Sequence, residues 1–293
     1  MTSMPAVSVI VPCYNGGIYL DGLLASLAAQ TFRDFEVVIV NDGSSDPATL
    51  EKLKEIESVA RVVHQENRYL PGARNTGFRE ARAELVLPLD CDDRIEPEFL
   101  AETLAAMRNA GDDVGFVYTY MRLTGTADRV FATHCSHFDQ LFLNHLPYCL
   151  LIRKSAWKAV GGYDETMRSG LEDWEFNIGL LRAGYRWIEI PKPLFIYTVR
   201  SDGMLLSTSA RRQASLWKRI RDKYPELFSA AALFSTWRRS RPGWWATSRA
   251  MLLLAMAKSL PEAWCNWLFF QMNMLNRGLG RALGLVRPAH SQN

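Results

Sequence analysis

Three carboxylates close an apolar run in Leu89-Asp90-Cys91-Asp92-Asp93, and their spacing sets the first chemistry open to this chain. In extended backbone, residues two apart point to the same side, so Asp90 and Asp92 face one place. Two carboxylates held together repel unless a proton or a cation stands between them. Oxygen ligands suit Mg2+ or Mn2+, ions typically held by one or two carboxylates plus the phosphates of a substrate. Such an ion neutralises charge developing on a departing diphosphate without any proton transfer. The competing reading is a solvated acidic turn that caps the next helix, and for Asp93 it carries at least equal weight.

The elements that must position this cluster follow from hydrophobic periodicity. Val7–Val11, Phe35–Val40, Arg61–Val63, Glu84–Leu89 and Val114–Tyr120 are short β-branched or apolar runs that predict buried strands. Between them, Tyr19–Gln30, Leu50–Ile56, Gly72–Ala83 and Glu96–Ala110 carry helical patterning. Strand and helix in this alternation predict a mostly parallel sheet with helices on both faces. Ligands of such sheets bind beyond the carboxyl ends of the strands. The segments that fall there are Pro12–Asn15, Asn41–Asp46 and Asp90–Asp93, all polar and two of them acidic. Residues 121–145 lack a clear period and are expected to form a mobile loop over the site. Lys154–Val160 and Asp173–Ala183 are predicted helices, and Arg186–Ile190 a strand.

These segments carry a resemblance. Val9-Ile10-Val11-Pro12-Cys13-Tyr14-Asn15 resembles the opening strand of the inverting family 2 glycosyltransferases, which have the GT-A fold. Ser26–Thr31, Val40–Asp46, Gly72–Gly77 and Leu89–Asp93 are similar to the motifs that follow, as are Gly161-Gly162-Tyr163-Asp164 and Glu172-Asp173. The seven stand in the family's order over roughly residues 5–200. The resemblance implies a GT-A-type (Rossmann-like) α/β fold and transfer of a sugar from a nucleotide-diphosphate donor, most often a UDP-sugar, with Mn2+ or Mg2+ as cofactor.

It also implies roles. Pro12, Tyr14 and Asn15 would wall the nucleotide pocket, and Asp42 would accept from the ring N–H of the base. Arg74 would reach the nucleotide, Asp90 the ribose or the water shell of the metal, and Asp92 the metal itself. Asp173 would be the general base for the acceptor hydroxyl, with inversion at the anomeric carbon. In relatives a histidine after the last strand can help hold the metal. Here that stretch is Tyr197-Thr198-Val199-Arg200-Ser201, so Arg200 stands nearby as a candidate phosphate contact. Each residue also has a plainer role open to it. Asp42 and Ser44 suit a turn, Tyr14 a packed aromatic, Arg74 a salt bridge, and Glu172 and Asp173 the start of a helix.

Other chemistries find less support. His134 and His137 have a metal-ligand spacing, but no second pair completes a zinc site. No strand is followed by a dinucleotide-binding glycine signature, and no P-loop occurs. Five cysteines without a C-x-x-C pair suit reduced thiols. No basic segment precedes the short first apolar run, so the expected location is cytoplasmic, without a signal peptide.

Charge divides the chain of 293 residues. Residues 1–210 hold 20 Lys and Arg against 28 Asp and Glu, whereas residues 211–293 hold 14 against 3. The expected division is a catalytic domain over 1–210 and a basic, Trp-rich helical tail over 211–293, which holds six of the nine tryptophans. Its uncharged runs, 250–257 and 263–276, are shorter than the roughly 20 apolar residues that span a bilayer. A tail lying on the inner face of a membrane is expected, with arginines toward anionic headgroups. Packing on the enzyme core or on a second copy is the competing expectation. Nucleic acid is not expected as a partner, because no recognition module is present. A membrane-bound enzyme points to a lipid-linked or glycan acceptor in surface polysaccharide biosynthesis. The alternatives are a polyprenyl-phosphate sugar synthase and a non-catalytic protein that binds nucleotide sugars.

Overall fold

The apolar run predicted as the first strand forms β1 (Val7–Cys13), every residue of which is buried. It pairs in parallel with β2 (Phe35–Asp42), and β2 in turn with β3 (Arg61–Gln65). On its other side lies β4 (Leu85–Pro88), also parallel. The computed structural model describes residues 4–126, 128–132, 134–200 and 212–268. Among these the sheet has nine strands. The remainder are β5 (Arg94–Ile95), β6 (Val114–Gly125), β7 (Arg129–Phe131), β8 (Leu151–Arg153) and β9 (Arg186–Val199), and the order is β3-β2-β1-β4-β8-β6-β9-β5 with β7 on β6. Beyond β4 the sheet is mixed. β8 runs antiparallel to β4 and β6, and β5 antiparallel to β9, while β6 and β9 are parallel.

Helices cover both faces, as the alternating pattern requires. Val7, Val9, Val11 and Cys13 point into one core with α1 (Gly17–Ala28), α2 (Pro47–Ile56) and α4 (Phe99–Arg108). Ile10, Val38 and Val86 point to the opposite core with α3 (Tyr69–Glu80), α6 (Lys154–Ala159) and α7 (Glu172–Arg182). The two-residue period of each strand thus feeds two apolar layers.

Two expectations need correction. Residues 121–145 are largely built into the fold: β6 continues to Gly125, β7 pairs with it, and α5 (His137–Gln140) follows. The carbonyls of Gln140 and Leu141 accept indole N–H bonds from Trp174 at 2.6 Å and Trp217 at 2.8 Å. The predicted strand ending at Ile190 runs on to Val199. Pro191 and Pro193 obscured it, since neither can donate to a ladder; they lie at a register shift opposite Thr119–Met121, where the ladder is already interrupted.

The described part of the tail holds α8 (Gln213–Lys223), a 3-10 turn at Pro225–Phe228, α9 (Ala230–Ser240), α10 (Trp244–Ser259) and a helical stretch at 262–268. Leu216, Trp217, Ile220, Ala250 and Leu253 form a third core with Phe138, Phe142, Trp174 and Ile178. The expected junction at 210/211, and the tail beyond 268, lie outside the described residues. Among the described residues no helix is long and apolar enough to cross a membrane.

Candidate active site

The loops after β1, β2 and β4 meet at the carboxyl edge of the parallel strands, and their backbones are tied together. Asn15, with a positive φ of 51°, accepts from the backbone N–H groups of Ser45 and Asp46 at 2.8 and 2.9 Å, and its own N–H donates to Ser44 Oγ at 2.9 Å. The side chain of Asn15 is thereby a clamp between two loops. Pro12 is buried at the end of β1, whereas Tyr14 is 54% exposed and presents its ring to solvent. Asp42 is buried at the end of β2, and its Oδ1 accepts from Gln65 Nε2 at 2.6 Å and from Arg68 N at 2.8 Å. Among the described residues no donor reaches its Oδ2, which is the oxygen left to meet a ligand. Gly16 must lack a side chain, because a Cβ there would stand 2.6 Å from the sulfur of Cys91.

The acidic turn after β4 is held from behind. Tyr148 is buried; its hydroxyl donates to Asp93 Oδ2 at 2.5 Å and accepts from Asp90 N at 3.0 Å. Asp93 Oδ1 accepts from Thr198 N at 2.7 Å, which staples the turn to β9. Burial and the adjacent Asp92 and Asp90 push the Asp93 carboxyl well above the usual range. Asp92 lies toward the outside, 3.5 Å from Arg200 NH1. Its carboxyl is also pushed up, by burial and then by Asp90. Arg200 in turn stacks on the ring of Tyr19 at 4.4 Å.

Arg74, which the resemblance expects to reach the nucleotide, is bound here to two protein carboxylates. It is 1% exposed, with one guanidinium nitrogen bound to both oxygens of Asp90 at 2.9 and 3.0 Å and another to Glu172 Oε1 at 2.7 Å. The rings of Tyr148 and Tyr163 lie against it at 4.7 and 5.5 Å. Burial opposes its charge, but Asp90 and Glu172 outweigh that cost and raise its pKa. The side chain is a buried cross-link under the site, and its prongs are spent on protein carboxylates. Next to it, Asn75 exchanges three hydrogen bonds with Tyr163 and Trp157, which fastens the Gly161–Asp164 turn to α3.

Asp173 stands in the first turn of α7, just after Gly170 and Leu171, both left-handed at φ 100° and 60°. A non-glycine residue in that region is strained, and three of the four here (Asn15, Tyr69 and Leu171) adjoin the loops of the site. Asp173 Oδ2 accepts from Asn144 Nδ2 at 2.9 Å, and Asn144 Oδ1 accepts from Gln140 Nε2 at 2.9 Å. Burial raises the Asp173 carboxyl despite the field of Arg74, and Glu172 beside it is raised for the same reason. A half-buried, fixed carboxylate with elevated basicity is suited to proton abstraction.

The structure therefore gathers Asp90, Asp92, Arg74 and Asp173 around one centre and sets Pro12, Tyr14, Asn15 and Asp42 along the adjoining loops. Sequence reasoning missed Tyr148 and Asn144, which lie in the stretch without a period. Asp93 was weighed as a solvated turn residue and is instead buried. Among the described residues no group of three His, Cys, Asp or Glu could hold a metal ion. His134 pairs with Glu189 at 2.7 Å, away from this centre.

Comparison with known proteins agrees with this geometry. The family model described as Glycosyl transferase family 2 matches residues 8–175. The uncharacterized glycosyltransferase EpsJ of Bacillus subtilis is 32% identical over 212 residues, which cover 66% of this chain and 61% of that protein. The putative glycosyltransferase EpsH of the same organism is 41% identical over 115 residues, 39% of this chain and 33% of its own length. The chain thus spans less than two thirds of either relative. Among solved structures, S. aureus TarS 1-349 in complex with UDP-GlcNAc has a TM-score of 0.59 at 23% identity, over 73% of this chain and 65% of that one. The mannosyltransferase PcManGT from Pyrobaculum calidifontis, in complex with GDP-Man and Mn2+, has a TM-score of 0.57 at 23% identity, over 98% and 82%. At such identity these two carry the fold, and the fold is of the GT-A type. The family match spans every carboxylate from Asp42 to Asp173, and on that ground this chain belongs to glycosyl transferase family 2.

Proposed function

We propose that this protein is a metal-dependent, inverting glycosyltransferase that moves a sugar from a nucleotide-diphosphate donor, most often UDP-linked, to a hydroxyl of a glycan or lipid-linked acceptor in surface polysaccharide biosynthesis. The observation that carries the reading is that one buried arginine, Arg74, joins Asp90 to Glu172, the neighbours of a charge-stressed Asp92 and a separately fixed base, Asp173. On this reading residues 1–210 are the catalytic unit and 211–293 an appended helical tail.

The donor set fits a divalent cation of the Mg2+ or Mn2+ kind. Asp92 carries negative charge that its surroundings leave under-compensated, whereas both oxygens of Asp90 are held by Arg74. Asp92 would therefore be the direct ligand, donor phosphates would complete the shell, and Asp90 would act through water or on the ribose. Bound there, the ion neutralises charge on the departing diphosphate.

The chain's own residues do the rest. Oδ2 of Asp42 faces the base N–H, with the ring of Tyr14 alongside, and Pro12 and Asn15 fix the wall behind them. Asn144 holds the Asp173 carboxylate in one orientation, and Asp173 takes the acceptor hydroxyl proton. The acceptor oxygen then forms its bond to the anomeric carbon from the face opposite the nucleotide. The bond to the diphosphate oxygen breaks with its electron pair, and configuration inverts. Arg200, beside Asp92, is placed to meet a phosphate.

A panel of UDP-, GDP- and dTDP-sugars tested by calorimetry and hydrolysis with Mn2+ or Mg2+ decides the matter. One donor should bind in a metal-dependent way, and Asp92→Ala should abolish that dependence. Absence of binding by every donor would sink the transferase mechanism. Turnover onto lipid phosphate that survives loss of Asp173 would move the assignment to a polyprenyl-phosphate sugar synthase, whose acceptor needs little deprotonation.

A further inference from the structure

The described tail turns one face to the protein and another, equally apolar, to solvent. In α10 the buried positions are Ala250, Leu253 and Met256, yet Trp244 and Trp245 are 65% and 69% exposed and Met251 is 66% exposed. A helix apolar on both sides needs a second partner. On α9 Phe234 is 64% exposed, and on 262–268 Trp264 and Trp267 are exposed. Phe234 stacks on Trp237, and the two rings of Trp244 and Trp245 stack at a centroid distance of 3.9 Å. The exposed aromatics thus come in adjoining pairs rather than singly, as scattered apolar residues of an ordinary surface do.

Charge selects the partner. Arg238, Arg239, Arg241 and Lys258 are exposed on the same helices, and residues 211–293 contain 14 Lys and Arg against 3 Asp and Glu. A two-fold contact between copies would set this basic surface against itself, and like charges oppose such an interface. A bilayer surface with anionic headgroups satisfies both features at once. Tryptophan belongs where an apolar ring meets water, and arginine reaches the phosphates.

We propose that α9, α10 and residues 262–268 form a docking face for an anionic lipid bilayer, with Trp244 and Trp245 as the inserting pair and Arg238, Arg239 and Arg241 as the headgroup contacts. The opposite face of this tail packs on Phe138, Trp174 and Ile178 of α5 and α7, and Ser240 Oγ accepts from Phe138 N at 3.3 Å. Docking therefore anchors α7, whose first turn carries Asp173, at a set height above the lipid surface. This deepens the transferase reading by naming the acceptor as one presented in that surface, and only that acceptor clause rests on the reading.

Sedimentation of the full chain with sucrose-loaded vesicles tests it. Vesicles of phosphatidylcholine with phosphatidylglycerol should carry the protein down, pure phosphatidylcholine much less, and added salt should weaken binding. Trp244→Ala with Trp245→Ala should cut partitioning about tenfold or more, while far-UV circular dichroism stays native because both rings are exposed. Arg238→Gln, Arg239→Gln and Arg241→Gln together should erase the preference for the anionic vesicle. Equal binding by the tryptophan variant, or no sedimentation with either vesicle, overturns the proposal. A concentration-dependent dimer in light scattering that the tryptophan variant abolishes overturns it too and gives the face to a second copy. Metal-dependent donor binding, measured on the same preparations, keeps the questions apart: donor binding without vesicle binding defeats the docking face alone, and the reverse defeats the transferase reading.

Discussion

On the proposed reading, the donor-side half of the site and the acceptor-side half hold their polar groups by opposite means. Around Pro12–Asn15, Asn41–Asp46 and Asp90–Asp93, the loops leave parallel strands in register, and short bonds such as those of Asn15 to Ser45 and Asp46 tie neighbouring loops together. Around Asp173 the support comes from afar. Asn144 arrives from the segment after α5, Arg74 from α3, and the packing of α7 depends on Trp217 in α8. A sheet edge builds a binding surface from local backbone; a base fixed among helices depends on packing across the chain. The first should tolerate change beyond its own loops, and the second should register changes made far from it.

The strongest way to separate the halves is Asp173→Asn. Turnover should fall about 10²–10⁴-fold, the range for loss of a general base, while calorimetric donor affinity changes far less. A matching loss of donor affinity would place Asp173 in the donor half and break the division. Arg74→Leu should do the reverse and damage both halves together. It leaves Asp90 and Glu172 without their shared cation, and removal of one partner of a buried ion pair costs about 3–5 kcal/mol. A marked fall in thermal midpoint should accompany loss of both donor binding and turnover; Arg74→Lys should recover stability only in part, because a single ammonium cannot replace the two guanidinium nitrogens that reach Glu172 and Asp90 separately.

A subtler probe is pH. The Asp173 carboxyl is raised by burial and must be ionised to act, so kcat/KM should climb with pH along a limb above the ordinary aspartate value of about 3.9. The hydrogen bond from Asn144 favours the ionised form. Asn144→Ala should therefore shift that limb upward, with little change in donor affinity. A limb that stays put would remove Asn144 from the acceptor half.

The smallest effect concerns the seam with the tail. Lys223 bridges Asp164 and Glu175, and its hydrogen bond, with that of Thr166, holds Asp164 at about 2 against the cost of burial. Because that pKa is lowered, the stabilisation is present above the ordinary aspartate range and is lost as pH falls toward 2. Lys223→Met should lower stability by about 1 kcal/mol at neutral pH, in line with partly exposed pairs, and denaturant curves at pH 7 and pH 3 should then differ less than those of the wild type.

The two halves also differ in how far they can be read from residue order. Pro12–Asn15 and Asp90–Asp93 announce themselves because a strand, a turn and its carboxylates are contiguous. Asp173 could be picked out by its motif, but Asn144 and Tyr148 lie in a stretch with neither helical nor strand period, and only folding shows what they touch. Arg74 teaches a related point. Its motif places it correctly beside the site, yet whether a guanidinium turns toward a ligand or toward two protein carboxylates is settled by Asp90 and Glu172, 16 and 98 residues away. The course of β9 past Pro191 and Pro193 was hidden for a comparable reason, since local propensity argues against a strand that a neighbouring bulge accommodates.

The position of Arg74 makes it a line of communication. One delocalised cation serves Asp90 on the donor side and Glu172 on the acceptor side, and the fields of both Arg74 and Asp90 reach Asp173 with opposite signs. Whatever neutralises Asp90 removes a repulsion felt at Asp173 and leaves the arginine's attraction less opposed, so the base ionises more readily. By thermodynamic reciprocity, an ionised Asp173 strengthens the hold of the donor side on positive charge by the same factor. On the proposed reading, filling either half favours the other by the same factor, and the shared charge couples them in both directions.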